Sequence, residues 1–166
     1  MCSEPGRGTT FSILLPGCDA PAAKPTHDPD PIPSFSNAGP ILLVDDEDSV
    51  RHVTTSMLEY FGFGVLQASS GKQALELLAQ NEQRPLKDRL RLVILDLTMP
   101  GMDGREALAR MRGVRPDLPV VIMSGYVESD VMREFEGTRG VSFVHKPFAL
   151  DELGALLQRA LAPSRM

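Results

Sequence analysis

From residue 40 to residue 162, short apolar runs alternate with stretches whose apolar residues recur every three to four positions. Ile41 to Val44 is apolar throughout, and the next segment carries Val50, Val53, Met57, Leu58 and Phe61 on one helical stripe. The alternation continues with Gly64 to Ala68 before Ala74, Leu75, Leu77 and Leu78, and with Leu92 to Leu95 before Ala107, Leu108 and Met111. Val120 to Met123 precedes Val131, Met132 and Phe135, and Val141 to Val144 precedes Leu150, Leu153, Leu156, Leu157 and Ala160. Runs apolar at every position suit strands covered on both faces. Five strand-helix repeats therefore predict an α/β domain with a doubly wound parallel sheet. Glu82 to Leu90 is a polar connection broken at Pro85.

Residues 1–39 follow another pattern. Eight of the fourteen prolines fall in residues 1–40. Residues 16–39 show no apolar period and read as an extended linker. Ahead of it, Gly6-Arg7-Gly8-Thr9-Thr10 leads into Phe11-Ser12-Ile13-Leu14-Leu15, a glycine turn followed by one alternating strand. A lone strand does not fold by itself, so residues 1–38 are expected to add nothing to the stability of the domain. No output domain is expected after Met166.

Charge and composition narrow the function. A net charge of −5 and the lack of a basic cluster argue against nucleic-acid binding. No apolar run approaches the roughly 20 residues that span a bilayer, and the start lacks a signal-peptide pattern. Both cysteines, Cys2 and Cys18, lie ahead of the domain, which leaves it without a disulfide framework or thiolate site. A cytoplasmic setting and no membrane contact by this segment are expected.

The chemistry sits where the apolar runs stop. Ile41 to Val44 ends in Asp45-Asp46-Glu47, Leu92 to Leu95 ends in Asp96, and Val141 to Val144 ends in His145-Lys146-Pro147. In an open parallel sheet these ends share one edge, so two acids and a base converge. A carboxylate that attacks a phosphoryl group approaches a negative centre, and that charge is met by a hard cation with oxygen ligands and by a lysine. Asp96 is the candidate nucleophile, Asp46 with Asp45 the candidate Mg2+ ligands, and Lys146 the compact positive charge.

Asp45-Asp46, Asp96, Ser124 and Lys146-Pro147, in that order and spacing, make residues 40–162 resemble a response-regulator receiver domain, the phosphoacceptor module of two-component signalling. The resemblance implies a flavodoxin-like five-stranded sheet of order 2-1-3-4-5. It also implies Mg2+ bound by Asp45, Asp46, Asp96 and the backbone carbonyl of Thr98, with a cis Lys146-Pro147 peptide. Ser124 would bond the new phosphoryl oxygen, and Phe143 would swing as the switch aromatic. The implied phosphodonor is a histidine kinase, in the same chain or separate, and a histidine phosphotransfer protein is a possible further partner. Residues 3–15 resemble the last glycine box and final strand of a histidine-kinase ATP-binding domain, which suggests the carboxyl end of a hybrid kinase.

Other readings of these residues exist. Asp45, Asp46 and Asp48 could merely favour a helix N-terminus, Ser124-Gly125 could be only a turn, and Phe143 only core. Ser70-Gly71-Lys72 lacks the upstream glycine of a P-loop, having Leu66 in its place, and Val50 stands where an EF-hand loop needs glycine. A dehalogenase-type phosphatase would want an acid two residues after its nucleophile, where Thr98 stands. His52 and His145 have no metal-ligand spacing. The rivals to a kinase-linked receiver are a free-standing regulator that acts by binding a partner and a phosphatase with an aspartate nucleophile. As an isolated segment the chain would catalyse nothing beyond its own phosphorylation and dephosphorylation.

Overall fold

The computed structural model describes residues 2–4, 6, 8–10, 12, 14, 35, 39–125, 135 and 138–162. The chain divides into two compact units, Met1–Asp30 and Pro31–Met166.

In the first unit, strands β1 (Cys2–Glu4) and β2 (Gly8–Thr10) form an antiparallel pair with Cys2 opposite Thr10. This corrects the expected strand at Phe11 to Leu15. Gly6 and Gly8 adopt φ of 79° and 92°, a region glycine enters without a side-chain penalty, so the chain reverses there and pairs its immediate flanks. Ser12 and Leu14 carry no strand, while Phe11, Ile13 and Leu15 lie outside the described residues.

The second unit contains β3 (Ile41–Val44), α1 (Asp48–Tyr60), β4 (Val65–Ala68), α2 (Gly71–Asn81), β5 (Leu92–Asp96), α3 (Gly104–Val114), β6 (Val120–Ser124), β7 (Val141–His145) and α4 (Leu150–Leu161). The five strands are parallel in the order β4-β3-β5-β6-β7, which is the 2-1-3-4-5 arrangement expected. The helix expected around Val131 and Met132 lies outside the described residues.

Strand periodicity splits the core in two. Leu42, Val44, Val93, Leu95, Val120 and Ile122 meet Ala74, Leu78, Ala107, Leu108 and Met111 of α2 and α3 on one face. Ile41, Leu43, Leu92, Ile94, Val121 and Met123 meet Leu58, Leu153, Leu156 and Leu157 of α1 and α4 on the other. Burial on both faces explains the uninterrupted apolar runs.

Local signals set the helix starts. The Ser70 hydroxyl accepts from the Gln73 N–H at 3.3 Å and the Gln73 side chain accepts from the Ser69 N–H at 2.8 Å, a variant of the reciprocal cap. Asp103 caps α3 by accepting from the N–H groups of Arg105 and Glu106. The acidic run before α1 does not act this way: Glu47 precedes the helix without a side-chain cap bond.

Phe35 falls in the segment read as linker, yet its N–H donates to the Phe61 carbonyl at 3.1 Å. Its ring lies 4.7 Å from that of Phe63 and edge-on to Phe61 at 6.2 Å. The expectation that residues 1–38 are energetically silent therefore fails at this residue, because an aromatic in a proline-rich segment can still dock on an apolar edge. Phe35→Ala should cost about 2 kcal/mol, less than a fully buried phenylalanine because the ring is half-buried. Urea unfolding reads this directly, and removal of residues 1–30 should leave the midpoint unchanged.

Candidate functional site

Strand order builds the site. The chain winds outward from β3 in both directions, so β3 and β5 are neighbours at the point where the order reverses. Val44 pairs with Leu95, which sets Asp45 and Asp96 level at the carboxyl edge. Lys146 follows β7, beyond β6, and its N–H donates to the Ser124 carbonyl at 2.8 Å. The Lys146-Pro147 peptide is cis. From there the Lys146 Nζ donates to Asp45 Oδ2 and to Asp96 Oδ2, both at 2.6 Å.

The acids differ in setting. Asp45 is fully buried, and its Oδ1 accepts from the Glu47 N–H at 2.9 Å. Asp96 is 6% exposed, and its Oδ1 accepts from the Thr98 N–H at 2.9 Å. Asp46 is exposed. One carboxylate oxygen from each of the three lies within 4.8 Å of the others. Three carboxylates face one ammonium, so the cluster carries excess negative charge and offers only hard oxygen donors, a set suited to Mg2+. Burial alone would pull the Lys146 pKa down, but hydrogen bonds and charge from Asp45 and Asp96 outweigh it and the net displacement is upward.

The other expected residues lie close by in sequence and strand. Thr98 is exposed in the loop after Asp96. Ser124 ends β6, half-buried and in register with His145. Phe143 lies in β7 opposite Ile122, packs against the α2 and α3 face of the sheet, and has its ring 6.4 Å from that of Phe135.

Two supporting residues escaped the sequence reading. Arg51 on α1 donates to the Asp45 carbonyl at 2.8 Å and pairs with Asp48, which ties the acidic loop to its helix. Gly104 donates its N–H to the Leu97 carbonyl at 3.1 Å, and α3 starts directly against the strand end that bears Asp96. The sequence signal for Gly104 was an Asp-Gly pair, which reads only as a turn; a bond from Arg51 to a backbone carbonyl has no sequence signature.

A doubly wound sheet that carries two acids and a lysine at the carboxyl edge of its strands is the architecture of a signalling receiver domain. The chain belongs to the response regulator receiver domain family, whose pattern matches residues 41–158. It is 34% identical over 166 residues to "Sensor kinase CckA" of Brucella abortus, covering 96% of this chain and 17% of that protein. Over 121 residues it is 34% identical to "Sporulation initiation phosphotransferase F" of Bacillus subtilis, 73% of this chain and 92% of that one. Among solved structures, the receiver domain from the hybrid histidine kinase CckA aligns with a TM-score of 0.60 at 34% identity, covering 74% of this chain and 99% of that chain. The chain thus spans about a sixth of the sensor kinase it resembles and nearly the whole of the phosphotransferase. No helix among the described residues is long and apolar enough to cross a membrane.

Proposed function

We propose that this receiver domain takes a phosphoryl group from a phosphohistidine onto Asp96. The observation that carries the reading is the buried Asp96 carboxylate, 2.6 Å from the Lys146 ammonium and clustered with Asp45 and Asp46. Asp96 Oδ2 is held by Lys146 and Oδ1 by the Thr98 N–H, so the plane of the nucleophile is fixed before the donor arrives. A carboxylate oxygen forms the new bond to phosphorus, the bond from phosphorus to the donor imidazole nitrogen breaks, and the histidine leaves with that electron pair. Lys146 stays charged through neutral pH and opposes the charge gathering on the phosphoryl oxygens. Mg2+ bound by the Asp45, Asp46 and Asp96 carboxylates and the Thr98 carbonyl would supply further neutralisation of those oxygens. The Ser124 hydroxyl then bonds a phosphoryl oxygen and Phe143 changes rotamer, which converts a local charge into a surface change. The acyl phosphate passes to a histidine of a phosphotransfer protein or is lost to water.

The parent protein is proposed to be a hybrid histidine kinase with this part in the cytoplasm, with 1–15 the end of its ATP-binding domain, 16–39 a linker and 40–162 the receiver. The sensor-kinase similarity, which extends over 96% of this chain rather than the receiver alone, favours it. A free-standing regulator is the second reading, favoured by the 92% coverage of the sporulation phosphotransferase. Thr98, two residues beyond Asp96, disfavours a phosphatase.

With acetyl phosphate and Mg2+, the wild-type chain should gain one phosphoryl mass while Asp96→Asn gains none, read as intact mass. Asp46→Ala should label slowly and bind Mg2+ much more weakly, having lost one hard ligand. Equal labelling of the asparagine variant would remove Asp96 as the acceptor.

A further inference from the structure

A second charged site lies at the opposite edge of the sheet. A cavity of about 1060 Å³ is bordered by Leu90 and Arg91 just before β5, Pro119 just before β6 and Gly140 just before β7. Four arginines line it, Arg89, Arg91, Arg115 and Arg139. They are scattered over 51 sequence positions, and only the fold brings them together.

The four are held differently. Glu82 fixes two of them, accepting from Arg115 at 2.6 Å and from Arg89 at 3.3 Å. Arg115 also meets Asp117 at 3.3 Å. Arg91 and Arg139 are exposed, and among the described residues neither guanidinium has a hydrogen-bond or ion-pair partner. Behind the wall, Arg112 donates to the carbonyls of Pro116, Leu118, Arg139 and Gly140, which pins the loop before β6 to the turn before β7. Among the described residues four arginines thus line the cavity with one acid, Asp117, and Glu82 pairs with two of them from outside the lining, a local positive excess in a chain of net charge −5. The carboxyl end of α4 also borders the cavity and its partial negative charge opposes an anion, but half a charge does not cancel that excess.

The remaining lining is apolar. Leu86 is 78% exposed at the rim, and Pro116 and Leu161 supply further apolar surface, with Leu90 buried beneath them. A concave site that joins planar guanidinium forks to apolar walls matches a ligand with phosphates at one end and a flat organic group at the other. An extended nucleic acid would want a basic stripe along the surface, and the enclosure by three strand-entry loops favours a small molecule.

We propose that this cavity binds an organic polyphosphate of nucleotide size, at a site separate from the phosphoacceptor. Arg91 and Arg139 are the free phosphate ligands, Arg89 and Arg115 are held in place by Glu82, and the leucines contact the organic group.

The test is amide chemical-shift titration of the chain with ATP in EDTA, which keeps metal-bound nucleotide away from the acidic edge. Shifts should concentrate at residues 89–91, 115–119 and 139–140. Inorganic triphosphate should bind more weakly than ATP, and adenosine alone weakest. Arg91→Ala with Arg139→Ala should weaken ATP binding by about tenfold or more, given two lost charged hydrogen-bond donors, while leaving the urea midpoint and Asp96 labelling unchanged. Arg139→Glu alone should act in the same direction. No shifts in these loops at millimolar ATP, wild-type affinity in the double variant, or binding to phosphatidylglycerol vesicles without binding to ATP would overturn the proposal.

Discussion

Lys146→Met is expected to lower the unfolding free energy by about 3 kcal/mol in metal-free buffer, because it strands the fully buried Asp45 carboxylate without its cation. Methionine keeps much of the apolar stem, so the loss is electrostatic more than steric. Asp96, 2.6 Å from the same nitrogen in the wild-type chain, loses its partner too. The pH dependence has a definite sign. The folded pKa of Lys146 lies above its ordinary 10.5, so its contribution is complete below that value and is lost as pH rises through the folded one. The gap between wild type and variant should hold from pH 7 to 9 and close only in strong alkali. Mg2+ should restore part of it, since a cation held by Asp45, Asp46 and Asp96 would bind the native state and not the unfolded chain. Urea midpoints with and without Mg2+ measure all of this. An unchanged midpoint in EDTA would mean that Lys146 does not compensate the buried acids.

Gly104→Ala should damage stability and chemistry together. A Cβ at this position would lie 2.4 Å from the Asp96 carbonyl oxygen and 2.6 Å from the Leu97 Cα, both backbone atoms with no side chain to rotate away. The start of α3 must then move off β5, at a cost of about 3 kcal/mol. The movement passes directly to Asp96, the proposed nucleophile, so acetyl phosphate labelling should slow as well. Gly113 is the matched control on the same helix, with nothing within 4 Å of its added Cβ. Gly113→Ala should be neutral or gain up to about 1 kcal/mol from helix propensity, with labelling unchanged. Similar midpoints for the two variants would refute the close-approach argument.

The sheet and its acidic edge were legible because β3 and β5 are apolar on both faces and stop at an aspartate. Ile41 to Val44 before Asp45 and Leu92 to Leu95 before Asp96 need only the rule that parallel strands present their carboxyl ends together. The glycine turn was legible but its flanking strands were not, because Cys2–Glu4 and Gly8–Thr10 are three residues each without apolar alternation, whereas Phe11 to Leu15 alternates. Phe35 was hidden by its proline-rich neighbours, since docking depends on an apolar edge formed by Phe61 and Phe63 far along the chain. Arg51 and Arg112 act on backbone carbonyls, and every residue has one, so spacing cannot reveal them. The arginine cavity was invisible for a related reason: its charges come from separate loops, and the net charge of −5 points the other way.

The central claim is that the phosphoryl group rests on Asp96. Borohydride reduces an aspartyl phosphate to homoserine, which marks the acceptor permanently. The chain treated with acetyl phosphate and Mg2+, reduced and sequenced by tandem mass spectrometry should carry homoserine at position 96 and unaltered aspartate at positions 45 and 46. Homoserine at either of those positions, or label that survives on histidine or serine with position 96 unmodified, would contradict the assignment.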